Sequence, residues 1–441
     1  MLIELLPGVI VGGGQGSRIE HHSHVLWMHL SVGGVLWELR LSSNGRFYRH
    51  SLSHSSDPPP VPVGEIGFDD VIPRLLEELL SCSHTHSDIY TGHAGVSLTL
   101  HLLSKHDSAL VDQTTCAVHL GKIQISDFGP REYTFMCGTG GYYALRAAFS
   151  PSDSTAIESL QRIGHERVLT SPRENCELLY GRVGFLQCLL FARRALNSSE
   201  LFSDLIIALV LQIIDEGRRR GFGDHLMWSW HGKSYLGAAH GVAGIVYTLL
   251  CCSRSELTQL GRISLLPTLE ATVYFILANN STIRSVSRNI ASSTDSNSDK
   301  LVHFCHGATG WVPVLLKMWL VTGKEEYRSV AIQCGNTIWE RGLLVTKGPG
   351  ICHGIGGSIC AMVDLFTATR QSLWLERSKY FSLALVTFLD ELSSHADRPH
   401  SLMEGRAGAL YSLGLVSLLV SGKYHCPMPP TEEWTSCFPG L

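Results

Sequence analysis

The chain has 441 residues, with 44% hydrophobic and 17% charged positions and a net charge of −4, which suits a large globular core and leaves no basic surface for nucleic acid or anionic lipid. Its 13 cysteines, an odd number without framework spacing, point to a reducing compartment, the cytoplasm, rather than to a disulfide scaffold. The start, Met1–Pro7, lacks the basic stretch of a secretory signal, and no apolar run reaches the roughly 18 residues of a transmembrane segment.

Residues 1 to 45 read as short extended pieces, notably Val25–Leu41, broken by glycines and peripheral to the rest of the chain. Asp57–Gly64 carries prolines at 58, 59, 60 and 62 and reads as a stiff extended linker. Residues 1–64 are therefore expected to be an N-terminal extension and linker, and 65–441 one domain. Phe68–Leu80 is expected to be helical: Asp69 and Asp70 suit a first turn, and Val71, Ile72, Leu75, Leu76 and Leu79 share one face.

From there the chain repeats. Gly-x-x-Gly followed by a helix-length apolar run occurs seven times, at Gly92–Gly95, Gly138–Gly141, Gly181–Gly184, Gly241–Gly244, Gly307–Gly310, Gly354–Gly357 and Gly405–Gly408. Such a period fits one helical hairpin per repeat. Runs such as Ile245–Cys252 and Ala409–Val420 are apolar on nearly all sides and so belong inside, whereas Tyr327–Leu344 and Leu373–Leu392 are amphipathic and belong outside. Thr155-x-x-Glu158 opens another outer helix as a capping box. An open solenoid would expose apolar end faces, and no polar capping repeat is evident. The expected fold is therefore all-α and closed, with seven glycine-marked helix N-termini at one end of a ring. Ser281–Lys300, serine-rich and without period, is expected to be a flexible loop leading into Cys305.

Two of the seven glycine pairs are preceded by Cys-His: Cys305-His306 and Cys352-His353. A thiolate is favoured at a helix N-terminus, and thiolate and imidazole are preferred zinc ligands. Cys305, Cys352 and His353 form a Cys₂His set, the three-ligand kind that a catalytic zinc uses with its fourth position open. His306 reads either as a fourth ligand or as a separate group. His240, in Gly-Ala-Ala-His-Gly, holds the same place ahead of its helix and reads either as an acid or base near neutral pH or as a packing histidine. Lys347, five residues before Cys352, reads either as a cradle for a substrate carboxylate or as a solvated lysine.

The motifs Tyr-Thr-Gly-His-Ala-Gly (90–95), Thr-Phe-Met-Cys-Gly (134–138), Glu-Leu-Leu-Tyr-Gly-Arg-Val-Gly (177–184), Gly-Ala-Ala-His-Gly (237–241), Leu-Val-His-Phe-Cys-His-Gly (301–307), Lys-Gly-Pro-Gly-Ile-Cys-His-Gly (347–354) and Ser-Leu-Met-Glu-Gly-Arg-Ala-Gly (401–408) together resemble the eukaryotic LanC-like (lanthionine synthetase C-like) proteins, relatives of bacterial lanthionine cyclases. The resemblance runs from about residue 65 onward and covers all seven repeats in order. It implies an α/α toroid, a double ring of seven inner and seven outer helices. It implies metal binding, with zinc (Zn2+) on Cys305, Cys352 and His353, and glutathione binding with Lys347 among the contacts. It makes His240 and His306 the acid/base candidates and sets Glu177 where the bacterial enzymes carry a catalytic Asp. Those enzymes often have Tyr at the place of His306, so the chain resembles the eukaryotic branch. Three departures stand out. Residues 1–45 do not resemble the family, the serine-rich loop 281–300 replaces a Gly-Asp-Asn stretch, and Ser393–His400 lacks an arginine that precedes Thr-Pro-Asp.

The activity so implied is a glutathione transferase-like thiol addition, in which the glutathione sulfur attacks dehydroalanine or dehydrobutyrine in a peptide or protein. Two rival readings are a zinc- and glutathione-binding adaptor without turnover, and a lanthionine-type peptide cyclase.

Overall fold

The computed structural model describes residues 27–424 except 33–34, 44, 56, 83–85, 130–131, 172–174, 253–264 and 280–288. Each repeat's first glycine immediately precedes an inner helix: His93–Ser104, Thr139–Phe149, Arg182–Ala195, Val242–Leu250, Ala308–Thr322, Ile355–Thr369 and Arg406–Val420. The reason for glycine is close approach. A Cβ on the first glycine would lie 2.0–2.5 Å from the main chain six residues earlier, and one on the second glycine 2.0–2.2 Å from a carbonyl oxygen also six residues earlier. Each repeat thus makes a tight loop that returns beneath the first turn of its own helix. Gly307 alone of the seven first glycines also has a left-handed φ, 113°.

The inner helices are buried on nearly every side; Val242–Leu250 is buried throughout. Consecutive inner helices touch, and the seventh, Arg406–Val420, packs on the first, His93–Ser104, so the ring is closed as expected. Main-chain hydrogen bonds tie neighbouring loops at the glycine end: Cys305 N–H to Cys352 O (3.3 Å), Cys352 N–H to Met403 O (2.8 Å), Met403 N–H to Tyr90 O (3.2 Å), Tyr90 N–H to Met136 O (2.9 Å) and Leu178 N–H to Ala239 O (3.2 Å). Seven of the described helices form the outer ring: Phe68–Ser81, Gln113–Gly121, Ser154–Ile163, Ser203–Arg220, Leu265–Asn279, Glu325–Arg341 and Ser372–Thr387. The architecture is an α/α toroid. The first outer helix buries Val71, Ile72, Leu75 and Leu79, the face its periodicity predicts.

Two local expectations are corrected. The cap of Ser154–Ile163 is Asp153, whose carboxylate accepts the Thr155 N–H at 3.0 Å, so Thr155 is inside the helix and not its cap. The loop expected to be flexible over 281–300 is firmly held in its described part. Asn289, fully buried, donates from Nδ2 to Asp299 O and Leu301 O and accepts the Ala308 N–H at 2.8 Å. That side chain caps the fifth inner helix and fixes the loop carrying Cys305.

Among the N-terminal residues, β1 (Trp27–Val32), β2 (Val35–Leu41) and β3 (Tyr48–His50) form an antiparallel sheet in that order. It lies against two outer helices. Trp37 meets Tyr380 edge-on at 5.0 Å, His50 Nε2 lies 2.7 Å from Trp339 O, and Tyr48 N–H donates to Leu343 O at 2.9 Å. The proline segment runs along the same surface, where the Tyr380 hydroxyl donates to Pro59 O and Lys379 Nζ to Val61 O.

Candidate metal centre and flanking histidines

The tight loops place equivalent residues in two tiers at the glycine end. Two positions ahead of each first glycine stand Tyr90, Met136, Leu179, Ala239, Cys305, Cys352 and Met403; one position ahead stand Thr91, Cys137, Tyr180, His240, His306, His353 and Glu404. No residue of the second tier is fully buried, so each reaches the mouth of the ring.

Because the fifth and sixth repeats are neighbours, Cys305 and Cys352 meet. One ligand atom from each of Cys305, Cys352 and His353 lies within 4.8 Å of the others. Cys352 is 2% exposed. The two thiols share a hydrogen bond. With the neighbouring His353 imidazole it holds Cys352 well below the usual thiol range, while the same bond and burial push Cys305 well above it. Burial pulls His353 down, but the Cys352 thiolate beside it turns the balance upward. The Tyr90 hydroxyl bonds to Cys352, and burial raises the Tyr90 pKa far above the usual phenol range. His303 Nδ1 lies 3.9 Å from Cys305 Sγ, and burial lowers that imidazole to about 4. Two soft sulfurs and one imidazole nitrogen, packed this closely and already favouring a thiolate, fit a zinc ion with three protein ligands.

The other sequence-predicted residues surround this set. Gly237 packs on the Cys305 loop so closely that a Cβ there would fall 1.9 Å from Cys305 O, which brings the His240 repeat alongside. His240 Nδ1 is 2.8 Å from Glu177 Oε2, and its ring stacks on Trp230 at 3.8 Å and 3°. His306 sits 5.6 Å from the Tyr235 ring, with Nδ1 buried and unpartnered among the described residues, and burial lowers its pKa. Lys347 stands at the rim, its side chain 55% exposed and its Nζ 3.9 Å from Asp397 Oδ2. Tyr90, beside the cysteines, and Tyr180, beside His240, both line a cavity of about 440 Å³ together with Asp88, Asp127 and Glu132.

The residues missed by sequence reasoning are Tyr90, Trp230, His303 and Glu404. Tyr90 and Glu404 had a signal, since they occupy the two positions ahead of a ring glycine where the cysteines and histidines also stand. Trp230 lies outside any repeat motif.

The fold and the tiers define a class: an α/α toroid with a thiolate- and imidazole-bearing mouth. Residues 83–427 match the sequence model of the lanthionine synthetase C-like proteins, and the chain belongs to that family. A Danio rerio relative, glutathione S-transferase LANCL1, is 29% identical over 350 residues, 76% of this chain and 84% of its own. The Arabidopsis thaliana LanC-like protein GCL1 is 30% identical over 342 residues, 73% and 76% of the two chains. Among solved structures, nisin cyclase superposes with a TM-score of 0.57 at 16% identity, covering 79% of this chain and 92% of its own, and so shares the fold. No described helix is long and apolar enough to cross a membrane.

Proposed function

We propose that the chain is a zinc-dependent enzyme that adds the glutathione thiol to dehydroalanine or dehydrobutyrine residues of peptides or proteins, leaving a thioether. One observation carries the reading: the Sγ atoms of Cys305 and Cys352 and an imidazole nitrogen of His353 converge within 4.8 Å at the mouth of the ring. Family membership and the relative named as a glutathione S-transferase support the class of co-substrate.

Cys305, Cys352 and His353 hold the metal. Zinc bound there supplies an open position for a thiol sulfur and favours its thiolate. Lys347, half exposed at the rim, turns from Asp397 to a carboxylate of glutathione. The cavity between Tyr90 and Tyr180 receives the peptide. The glutathione sulfur attacks the β-carbon, the S–C bond forms, and the C=C electron pair moves to the α-carbon as an enolate. His240 delivers a proton to that carbon, while Glu177 fixes the orientation of its ring. His306, nearer the cysteines, is the second candidate for that proton. The sum is addition of S–H across a double bond, with no oxidant or reductant. The cytoplasm suits this chemistry, since all 11 described cysteines are free thiols.

The test is mass spectrometry of a dehydroalanine peptide incubated with protein, zinc and glutathione. The peptide is expected to gain one glutathione. Binding of glutathione without any gain overturns the enzyme reading in favour of an adaptor, and ring closure by the peptide's own cysteine in preference to glutathione makes the chain a cyclase.

A further inference from the structure

Trp230 is not a core residue. Trp37, Trp311, Trp339 and Trp374 are fully buried, whereas Trp230 is only partly buried and begins a tight turn beside His240. Trp230 and Lys233 exchange main-chain hydrogen bonds of 2.9 Å and 3.1 Å around His231 (φ 47°) and Gly232 (φ 77°). Positive φ at both central residues marks the type I′ turn of a two-residue hairpin. A histidine is uncommon in that region, so the turn is kept against the preference of one of its residues. The residues that follow anchor it. Leu236 N–H donates to Ser292 O and Thr294 N–H to Ser234 O, both at 3.0 Å, on the loop whose Asn289 caps the fifth inner helix. The indole ends flat on His240, with 3.8 Å between centroids and 3° between planes, and the His231 ring meets it nearly perpendicular at 4.3 Å. Glu177 alone does not fix that imidazole. A carboxylate only accepts, so Nδ1 carries the hydrogen of the 2.8 Å bond and Nε2 is left for the substrate. One hydrogen bond leaves a ring room to tilt about it, and a parallel ring face at 3.8 Å removes the tilt. Tyr180 and Tyr235 also stand near His240, but at 6.3 Å and 6.2 Å they are too far to lie face to face with it.

We propose that Trp230 is a positioning residue that decides which face of the enolate receives the proton, so that the product forms as one epimer at its new α-carbon. The enolate carbon is flat and open on both sides. When the N–H bond at Nε2 breaks and the C–H bond forms, the side on which the imidazole edge stands sets the configuration. The proton that glutathione gave up from its thiol replaces the one delivered, so S–H adds across the double bond with nothing left over. A ring that tilts meets the carbon at a poorer angle and leaves time for water to protonate the opposite face. This inference rests on the proposed thiol addition and on His240 as its proton donor. His306, the other candidate, packs near Tyr235 at 5.6 Å, so a role for Trp230 in the proton step also separates the two histidines.

The experiment follows addition of glutathione to a dehydroalanine peptide by the full chain with zinc, as wild type, Trp230→Met, Trp230→Phe, Gly232→Val and His240→Ala. The two epimers are separated by chromatography against the mixture from uncatalysed addition, and the uncatalysed yield is subtracted. Wild type is expected to give one epimer. Trp230→Met fills the space without a plane. Its kcat is expected to fall roughly 10- to 100-fold, with KM for glutathione and zinc content within about twofold of wild type. Its epimer ratio is expected to move toward that of the uncatalysed mixture, and Trp230→Phe, which keeps a flat ring, to recover most of both. Gly232→Val, where a Cβ meets no atom within 4 Å, strains the turn alone and is expected to shift the ratio the same way to a smaller extent. It gives the answer if Trp230→Met melts too low to assay. An unchanged epimer ratio in Trp230→Met, or in Gly232→Val where that variant decides, overturns the proposal whether or not the rate falls. A rise in KM with kcat and ratio unchanged overturns it too and makes Trp230 a substrate contact. Both epimers in equal amounts from wild type end the proposal while the addition stands. Unchanged turnover in His240→Ala removes the proton role on which Trp230 depends. No addition by wild type overturns the enzyme reading itself, a result distinct from the others.

Discussion

His240 Nδ1 lies 2.8 Å from Glu177 Oε2, across 63 residues of chain and one repeat boundary. Glu177 is 2% exposed, and its carboxylate also accepts the N–H groups of Leu179 (2.9 Å) and Tyr180 (2.5 Å). Three donors fix the carboxylate, and the Trp230 face fixes the imidazole plane. This is the geometry of a base oriented by a third group. His240→Ala is expected to keep its zinc and its glutathione affinity and to lose roughly 10²–10⁴ in rate. Turnover and zinc content measured on one preparation decide it. Unchanged turnover returns His240 to a packing role, and loss of zinc makes it a ligand.

Metal content gives the second prediction. The three-ligand set calls for about one zinc per chain in the purified protein. Cys305→Ala and Cys352→Ala are expected to remove most of it, and in Cys352→Ala the addition rate should fall with it. Elemental analysis checks this, and full occupancy in both variants would sink the site.

Gly307 provides a stability test. Its φ of 113° disfavours any side chain, and a Cβ would meet Leu301 O at 2.0 Å and Asn289 Oδ1 at 3.0 Å. Gly323 has φ 71° and nothing within 4 Å. Gly323→Ala carries backbone strain alone, about 1–3 kcal/mol. Gly307→Ala adds the collision with the loop beneath, so its loss of stability in urea melts should be the larger of the two. Equal losses would show that the approach of that loop costs nothing.

The N-terminal sheet carries a pH signature. Burial lowers His50 from 6.5 to about 4, its ring being packed among Trp37, Trp339 and Phe381. Below pH 6.5 the unfolded chain takes up a proton that the folded chain refuses. The stability tied to a neutral His50 is therefore whole above pH 6.5 and drains away as pH falls toward 4, by about 3 kcal/mol at most. Burial lowers His119 and His303 similarly, so wild type alone does not isolate the effect. His50→Gln should show a shallower fall in urea stability between pH 6.5 and 4.5 than wild type. Parallel curves for the two proteins would refute the assignment.

The ring was legible because its cause is local. A loop that returns beneath its own helix admits only glycine at two positions, and seven such pairs mark seven helix starts. Cys305, Cys352 and His353 were legible for the same reason, since they stand at fixed offsets from those glycines. Asn289 was not, because composition describes the serine-rich stretch around it and says nothing of one buried amide that fastens the stretch at both ends. Nor did alternation in the N-terminal strands indicate where the sheet would dock. The contacts that settle it, such as the Trp339 indole donating to Leu52 O, span 287 residues.

The closed ring makes assembly vectorial. Arg406, which begins the last inner helix, pairs with Glu78 from 328 residues earlier, and Met403 N–H reaches Tyr90 O only in the same event. Until that helix has left the ribosome, the growing chain is an open arc whose first and sixth inner helices each present a bare apolar flank. Contacts of this sequence separation form late and slowly, and exposed flanks invite wrong partners meanwhile. The carbonyls of Met403 and Glu404, which stand just ahead of that helix, take the N–H groups of Cys352 and Gly350 only by that final closure, so a chain stopped short of residue 406 carries both Cys305 and Cys352 and still lacks the wall beside them.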